Sequence, residues 1–205
     1  MNYSELAFTA AIKKIQERLG SRPSYERMEQ MSYVDGLTDY EEDFISQIDS
    51  FYLASFGENG YPYIQHRGGP KGFIKVIDKS TLGIVDFIGN RQYITAGNIS
   101  INPRVSLILL SYPLKTRLKI YAEAELIPLQ EDSNLYDFLR PKDYKFKPEQ
   151  MLIFKIKAYD WNCPQHINPK YSLEEVQEML EPQKEYIDQL EREIKELRKK
   201  TGSTG

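Results

Sequence analysis

Apolar residues change their spacing twice along this chain. Between residues 4 and 19, Leu6, Ala7, Ala10, Ala11, Ile12, Ile15 and Leu19 recur at helical spacing, and Gly20 follows as a stop. Residues 21 to 38, with Pro23 and Gly36, show no period and read as irregular. Asp39 then reads as the cap of a short helix carrying Phe44, Ile45 and Ile48. From Phe51 the pattern turns to strands. FYLASF and YPYIQHR flank Glu58-Asn59-Gly60, where Asn-Gly supplies the positive φ of a hairpin turn. GFIKVID and TLGIVDF flank Lys79-Ser80. Residues 89 to 101 predict a short helix ending before Pro103. RVSLILLSY is nearly continuous in apolar residues, as expected of a strand buried on both faces. RLKIYAEAELIPL and MLIFKIKAYDW are the last two strands, with a short helix at 132 to 140 between them.

Seven closely spaced strands interrupted by turn signals predict an antiparallel barrel rather than a parallel doubly wound sheet. The fold class is mainly β with flanking helices (α+β). The segments divide into N-terminal helices packing on the barrel (1–49), the barrel itself (50–167) and a helical tail (168–205). In the tail, Leu173, Val176, Leu180, Gln183, Ile187, Leu190, Ile194 and Leu197 alternate at three and four residues. Pro182 is expected to open a second helix, giving two at about 172–180 and 182–200. In this register Glu193 is a g position and Arg198 the next e, the pairing of a parallel dimeric coiled coil. An amphipathic helix lying on the barrel satisfies the same spacing. The final TGSTG reads as an unstructured tail.

Composition narrows the classes. A net charge of -3, with no cluster of excess Lys and Arg, argues against a nucleic-acid surface. One cysteine excludes an internal disulfide framework. No apolar run approaches the ~20 residues of a membrane span, and no basic-then-apolar leader opens the chain, so a cytoplasmic location is expected.

Two stretches point to phosphate chemistry. RGGPKGFIK (67 to 75) places Gly68, Gly69 and Gly72 among Arg67, Lys71 and Lys75, although it matches neither of the two nucleotide-binding glycine motifs and runs into a strand. DFIGNRQ (86 to 92) opens the predicted helix, whose N-terminus offers unpaired N–H groups, and Arg91 adds a guanidinium. Arg67, Lys75 and Arg91 together suggest one monophosphate gripped from two sides. A third stretch, WNCPQHI (161 to 167), holds the only cysteine, the only tryptophan and one of two histidines. It lacks the glycine elbow of a nucleophile, and a zinc site needs about four ligands where His66 is the only other histidine, so no metal is expected. A structural turn and a ligand-contacting segment remain open.

The order of FIK, GNRQ, NPRVSLILL and WNCPQHI over about residues 50 to 167 resembles the pyridoxamine 5′-phosphate oxidase-like, FMN-binding split-barrel family. The resemblance implies a homodimer with two flavins at the subunit interface, both chains contributing to each. It implies that Arg67 and Lys75 bind FMN and that backbone from Gly72 through Phe73 to Ile74 faces the isoalloxazine. Asn90, Arg91 and Gln92 then take the flavin phosphate, with Asp86 and Phe87 just before them. Trp161 resembles the aromatic residue that reaches the flavin of the partner, and the turn with Cys163, Gln165 and His166 then caps the neighbouring pocket. The arginine-rich RLHDR-like motif of the vitamin B6 oxidase proper is missing. Its substrate-phosphate motif survives only in part, at Tyr136, Arg140 and Pro141, with Tyr144 where that motif has serine. The implied activity is hydride or electron transfer at flavin N5 to a small molecule, with no catalytic side chain assigned. The alternatives are a flavin sensor or carrier without turnover, and a relative using heme or a deazaflavin.

Overall fold

The computed structural model describes residues 1–31, 33–161 and 165–201. Four helices come first: α1 (Tyr3–Ala7), α2 (Ala10–Arg18), α3 (Arg22–Met31) and α4 (Asp39–Ser46). The single helix expected over 4 to 19 is thus two, broken at Phe8 and Thr9. Residues 22 to 31, expected to be irregular, are helical, because Pro23 sits in the first turn, where a missing N–H costs nothing. The cap of α4 is Thr38 and not Asp39. Thr38 and Glu41 close a capping box, a T-x-x-E pattern present in the sequence.

Glu41 does more than cap. It is buried, and its second oxygen accepts the indole N–H of Trp161 at 2.7 Å. Burial alone would raise this carboxyl, but the donors from Thr38 and Trp161 outweigh burial and hold it below its ordinary value of 4.5. A carboxylate depressed in the folded state contributes stability that is present above pH 4.5 and lost as pH falls through the folded value. Glu41→Gln should therefore cost about 1–2 kcal/mol at neutral pH and flatten part of the acid limb of denaturant-midpoint measurements. An unchanged acid limb would separate Glu41 from acid stability.

The sheet is built of β1 (Ser50–Phe56), β2 (Pro62–Gly68), β3 (Lys75–Asp78), β4 (Thr81–Phe87), β5 (Arg104–Ser111), β6 (Thr116–Ile127) and β7 (Pro148–Trp161), in the order β2-β1-β5-β6-β7-β4-β3. Every pairing is antiparallel. The Asn-Gly turn forms as expected, with Gly60 at φ 73°. In contrast, β3 begins at Lys75 and not Gly72. Gly72 takes φ 74° inside a turn in which the N–H of Phe73 donates to the carbonyl of Pro70. β5 was expected to be buried on both faces, yet it alternates. Val105, Leu107 and Leu109 enter the core while Ser106, Ile108 and Leu110 stay half-exposed.

The sheet is rolled. Phe51 on β1 stacks on Phe73 and meets Phe154 of β7 edge-on, both at 6.0 Å, although two strands separate β1 from β7. The main core fills this roll. A smaller cluster, Val85, Leu139, Met151 and Ile153, lies under α6 (Ser133–Leu139). α5 (Ile94–Ile101) follows β4. On the outer face Tyr3 of α1 stacks on Tyr121 at 5.3 Å, with the Lys119 ammonium 4.6 Å from the Tyr3 ring. Two helices were expected in the tail, but one runs from Leu173 to Thr201 with Pro182 inside it (α7). No described helix is long and apolar enough to cross a membrane.

Candidate functional site

Rolling the sheet brings β2, at one edge, against β4, next to the other edge, without a backbone ladder between them. The gap is closed by side chains. Alternation on β2 turns Tyr63, Gln65 and Arg67 inward. Arg67 Nη1 donates to Asp86 Oδ1 on β4. Asp86 is 5% exposed and also accepts from the amide of Gln150 at 3.4 Å. Burial pushes the Asp86 carboxyl above its ordinary value, opposed by the Arg67 guanidinium and the Gln150 amide. Pairing of β4 with β7 slips one residue between Asp86 and Phe87, a bulge at the rim of the gap.

The gap opens into a cleft of about 230 Å3. One wall is β2, with Tyr63, Gln65 and Arg67. The other is the end of β4, with Asp86 and Phe87, and the loop through Asn90, Arg91 and Gln92. The helix expected to start at Gly89 starts at Ile94 instead. Arg91 and Tyr93 both take left-handed backbone, with φ 60° and 54°, which helical propagation cannot tolerate. The GNRQ residues therefore form a loop before the helix. Tyr93 is the N-cap and makes no side-chain cap bond, so the first-turn residues Ile94, Thr95 and Ala96 face the cleft with no side-chain cap over their N–H groups. Arg91 is exposed at the mouth. Among the described residues, Nε of Arg67, which is buried, has no hydrogen-bond partner. A cationic residue with an unused buried donor, a second arginine and an uncapped helix start around one small cleft together suit a monoanionic or dianionic oxygen group.

The structure thus brings Arg67, Phe73, Asp86, Phe87, Asn90, Arg91 and Gln92 around one cleft, and leaves others out. Gly72, Ile74 and Lys75 do not line it, because the turn at 70 to 73 buries Ile74 in the core and draws Lys75 back beside Gly72. Trp161 does not line it either. Its ring packs on Tyr40 and Phe44 at 5.1 and 4.8 Å, and its N–H is committed to Glu41. Gln165 and His166 are exposed, and His166 has φ 64°. Cys163 lies outside the described residues, as do its neighbours Asn162 and Pro164. Among the described residues no group of three or more His, Cys, Asp or Glu could hold a metal ion. Gln65, Thr95, Glu149 and Gln150 were missed in the sequence. Thr95 is buried and donates to Gln65 at 2.7 Å, and Tyr93 donates to Glu149 at 2.9 Å. Only Gln65 carried a signal, standing two residues before Arg67 on the same strand face.

A rolled antiparallel seven-stranded sheet with flanking helices, open along one side, is a split-barrel fold. Residues 37–159, more than half of the chain, match the family model described as pyridoxamine 5'-phosphate oxidase, and the chain belongs to that family. No curated protein matches the sequence. Among solved structures, a Lactobacillus delbrueckii protein provisionally described as a pyridoxamine 5'-phosphate oxidase is 20% identical, with TM-score 0.48, over 63% of this chain and 97% of that one. The Group A Streptococcus HupZ structure is 14% identical, with TM-score 0.48, over 65% and 99%. A protein from Mesorhizobium loti described as FAD-binding is 16% identical, with TM-score 0.40, over 61% and 94%.

Proposed function

We propose that this protein is a homodimeric FMN-dependent oxidoreductase acting on a small molecule. The observation that carries the reading is the cleft between β2 and the 88–93 loop, lined by both Arg67 and the uncapped start of α5. These groups fit the phosphate of FMN. Arg67 and Arg91 supply charge-assisted donors, and the first-turn amides of α5 supply backbone donors with the positive end of the helix dipole. Asp86 is a positioning residue, holding the Arg67 guanidinium at the inner wall. Tyr63 and Phe87 offer apolar surface to a ring. When bound, FMN would supply hydride transfer at N5, and the protein's part is to bind, orient and exclude water. The outer face of β1 and β2, with Tyr52, Phe56 and Ile64 in solvent, is assigned to the second copy. The exposed Gln165 and His166 then approach the partner's cleft.

The absorption spectrum of the purified full-length protein tests this reading. Flavin bands in the blue and near ultraviolet are expected, bleaching when a reduced nicotinamide is added without oxygen. A Soret band would assign heme instead, and flavin bands that do not bleach would assign a carrier.

A further inference from the structure

α7 is a 29-residue helix, about 44 Å long at 1.5 Å per residue, and its apolar stripe touches solvent along its whole length. Of its described side chains all but Glu175 are exposed, so the reading in which this helix lies on the barrel does not hold. A helix of this kind, carrying Pro182 in its interior, lacks the tertiary packing from which helices normally draw stability. We infer that α7 pairs with α7 of a second copy as a parallel, in-register two-stranded coiled coil.

Three observations select that occupant. First, the stripe follows a heptad seam, flanked at two g positions by Met179 and Tyr186. Leu180, Ile187 and Ile194 occupy a, while Val176, Leu190 and Leu197 occupy d, with Ile at a and Leu at d in the last two heptads, the preference of parallel dimers. Pro182 falls at c, off the seam. Second, Gln183 is the one polar seam residue, at d. In any antiparallel register a d residue faces an a residue of the partner, and every a residue is Leu or Ile, so the amide would lie unpaired in an apolar layer. In the parallel register Gln183 faces its own copy, and the two amides bond to each other. Third, the parallel register sets Glu193 at g against Arg198 at e of the partner, a complementary pair on each side of the seam. The occupant is therefore a second copy of this helix, and the pairing needs nothing from the proposed flavin site.

The test uses the full-length chain with Cys163→Ser and a single new cysteine at Val176, Leu197 or Arg192, the last an f position. Under mild oxidation, Val176→Cys and Leu197→Cys should each form a covalent dimer at least about tenfold faster than Arg192→Cys, because paired seam positions face each other at high effective concentration. Dimers of Val176→Cys that form only on mixing with an Ile194→Cys chain, a d position against an a position, would show antiparallel pairing and overturn the inference. Equal rates at all three positions, or no dimer at either seam position, would overturn it as well. The readout sits in the tail, so failure of the barrel dimer leaves it unaffected.

Discussion

Arg67→Ala is expected to destabilise the fold by about 3–5 kcal/mol, the typical cost of removing one partner from a buried ion pair. Asp86 is 5% exposed, and after the substitution only the Gln150 amide would face its charge. The loss should depend on pH in a defined direction. Burial already raises the Asp86 carboxyl in the folded state, and removing Arg67 raises it further. A carboxyl raised on folding contributes stability at low pH that is lost as pH rises through its folded value. The variant should therefore recover part of its deficit on acidification toward pH 5 and show its full deficit near pH 8. Adding Asp86→Asn should restore most of the stability, because the buried charge is gone and Gln150 keeps an oxygen to donate to. Urea midpoints for the three chains measure this. An Arg67→Ala chain as stable as the native one would mean that the pair contributes nothing across the split of the barrel.

The double variant Arg67→Met with Asp86→Asn separates folding from binding. It should fold, and it should bind FMN roughly 10- to 150-fold more weakly, since a hydrogen bond to a charged group contributes about 1.5–3 kcal/mol. Its affinity for riboflavin, which has no phosphate, should change little. A parallel loss for both ligands in a folded double variant would place Arg67 against the ring system rather than the phosphate.

The strands were legible in the sequence because side-chain alternation and turn residues are local. Thr81–Phe87 and the Asn-Gly hairpin form where the pattern placed them. The elements that shifted are those set by backbone sign or by distant partners. β3 starts three residues late because Gly72 turns left-handed, and α5 starts at Ile94 because Arg91 and Tyr93 do, neither of them a glycine that would announce it. Pro182 failed to break α7, since a proline interior to a helix is costly but not forbidden. At the site, Arg67 and Arg91 were legible as cations beside glycine and a helix start. The Arg67–Asp86 pair was not, because its partners stand 19 residues apart on strands that only the rolling of the sheet brings together. Trp161 was assigned by resemblance to a partner's flavin; within its own chain it donates to Glu41 under α4, a contact that no local pattern announces.

The central claim is that the cleft recognises flavin through its phosphate. Fluorescence titration of the native apoprotein with FMN and with riboflavin, under identical salt and pH, tests it most directly. The account predicts that FMN binds at least about tenfold more tightly, as expected when even one charge-assisted bond of about 1.5 kcal/mol is lost with the phosphate. Equal affinity for the two flavins would contradict it.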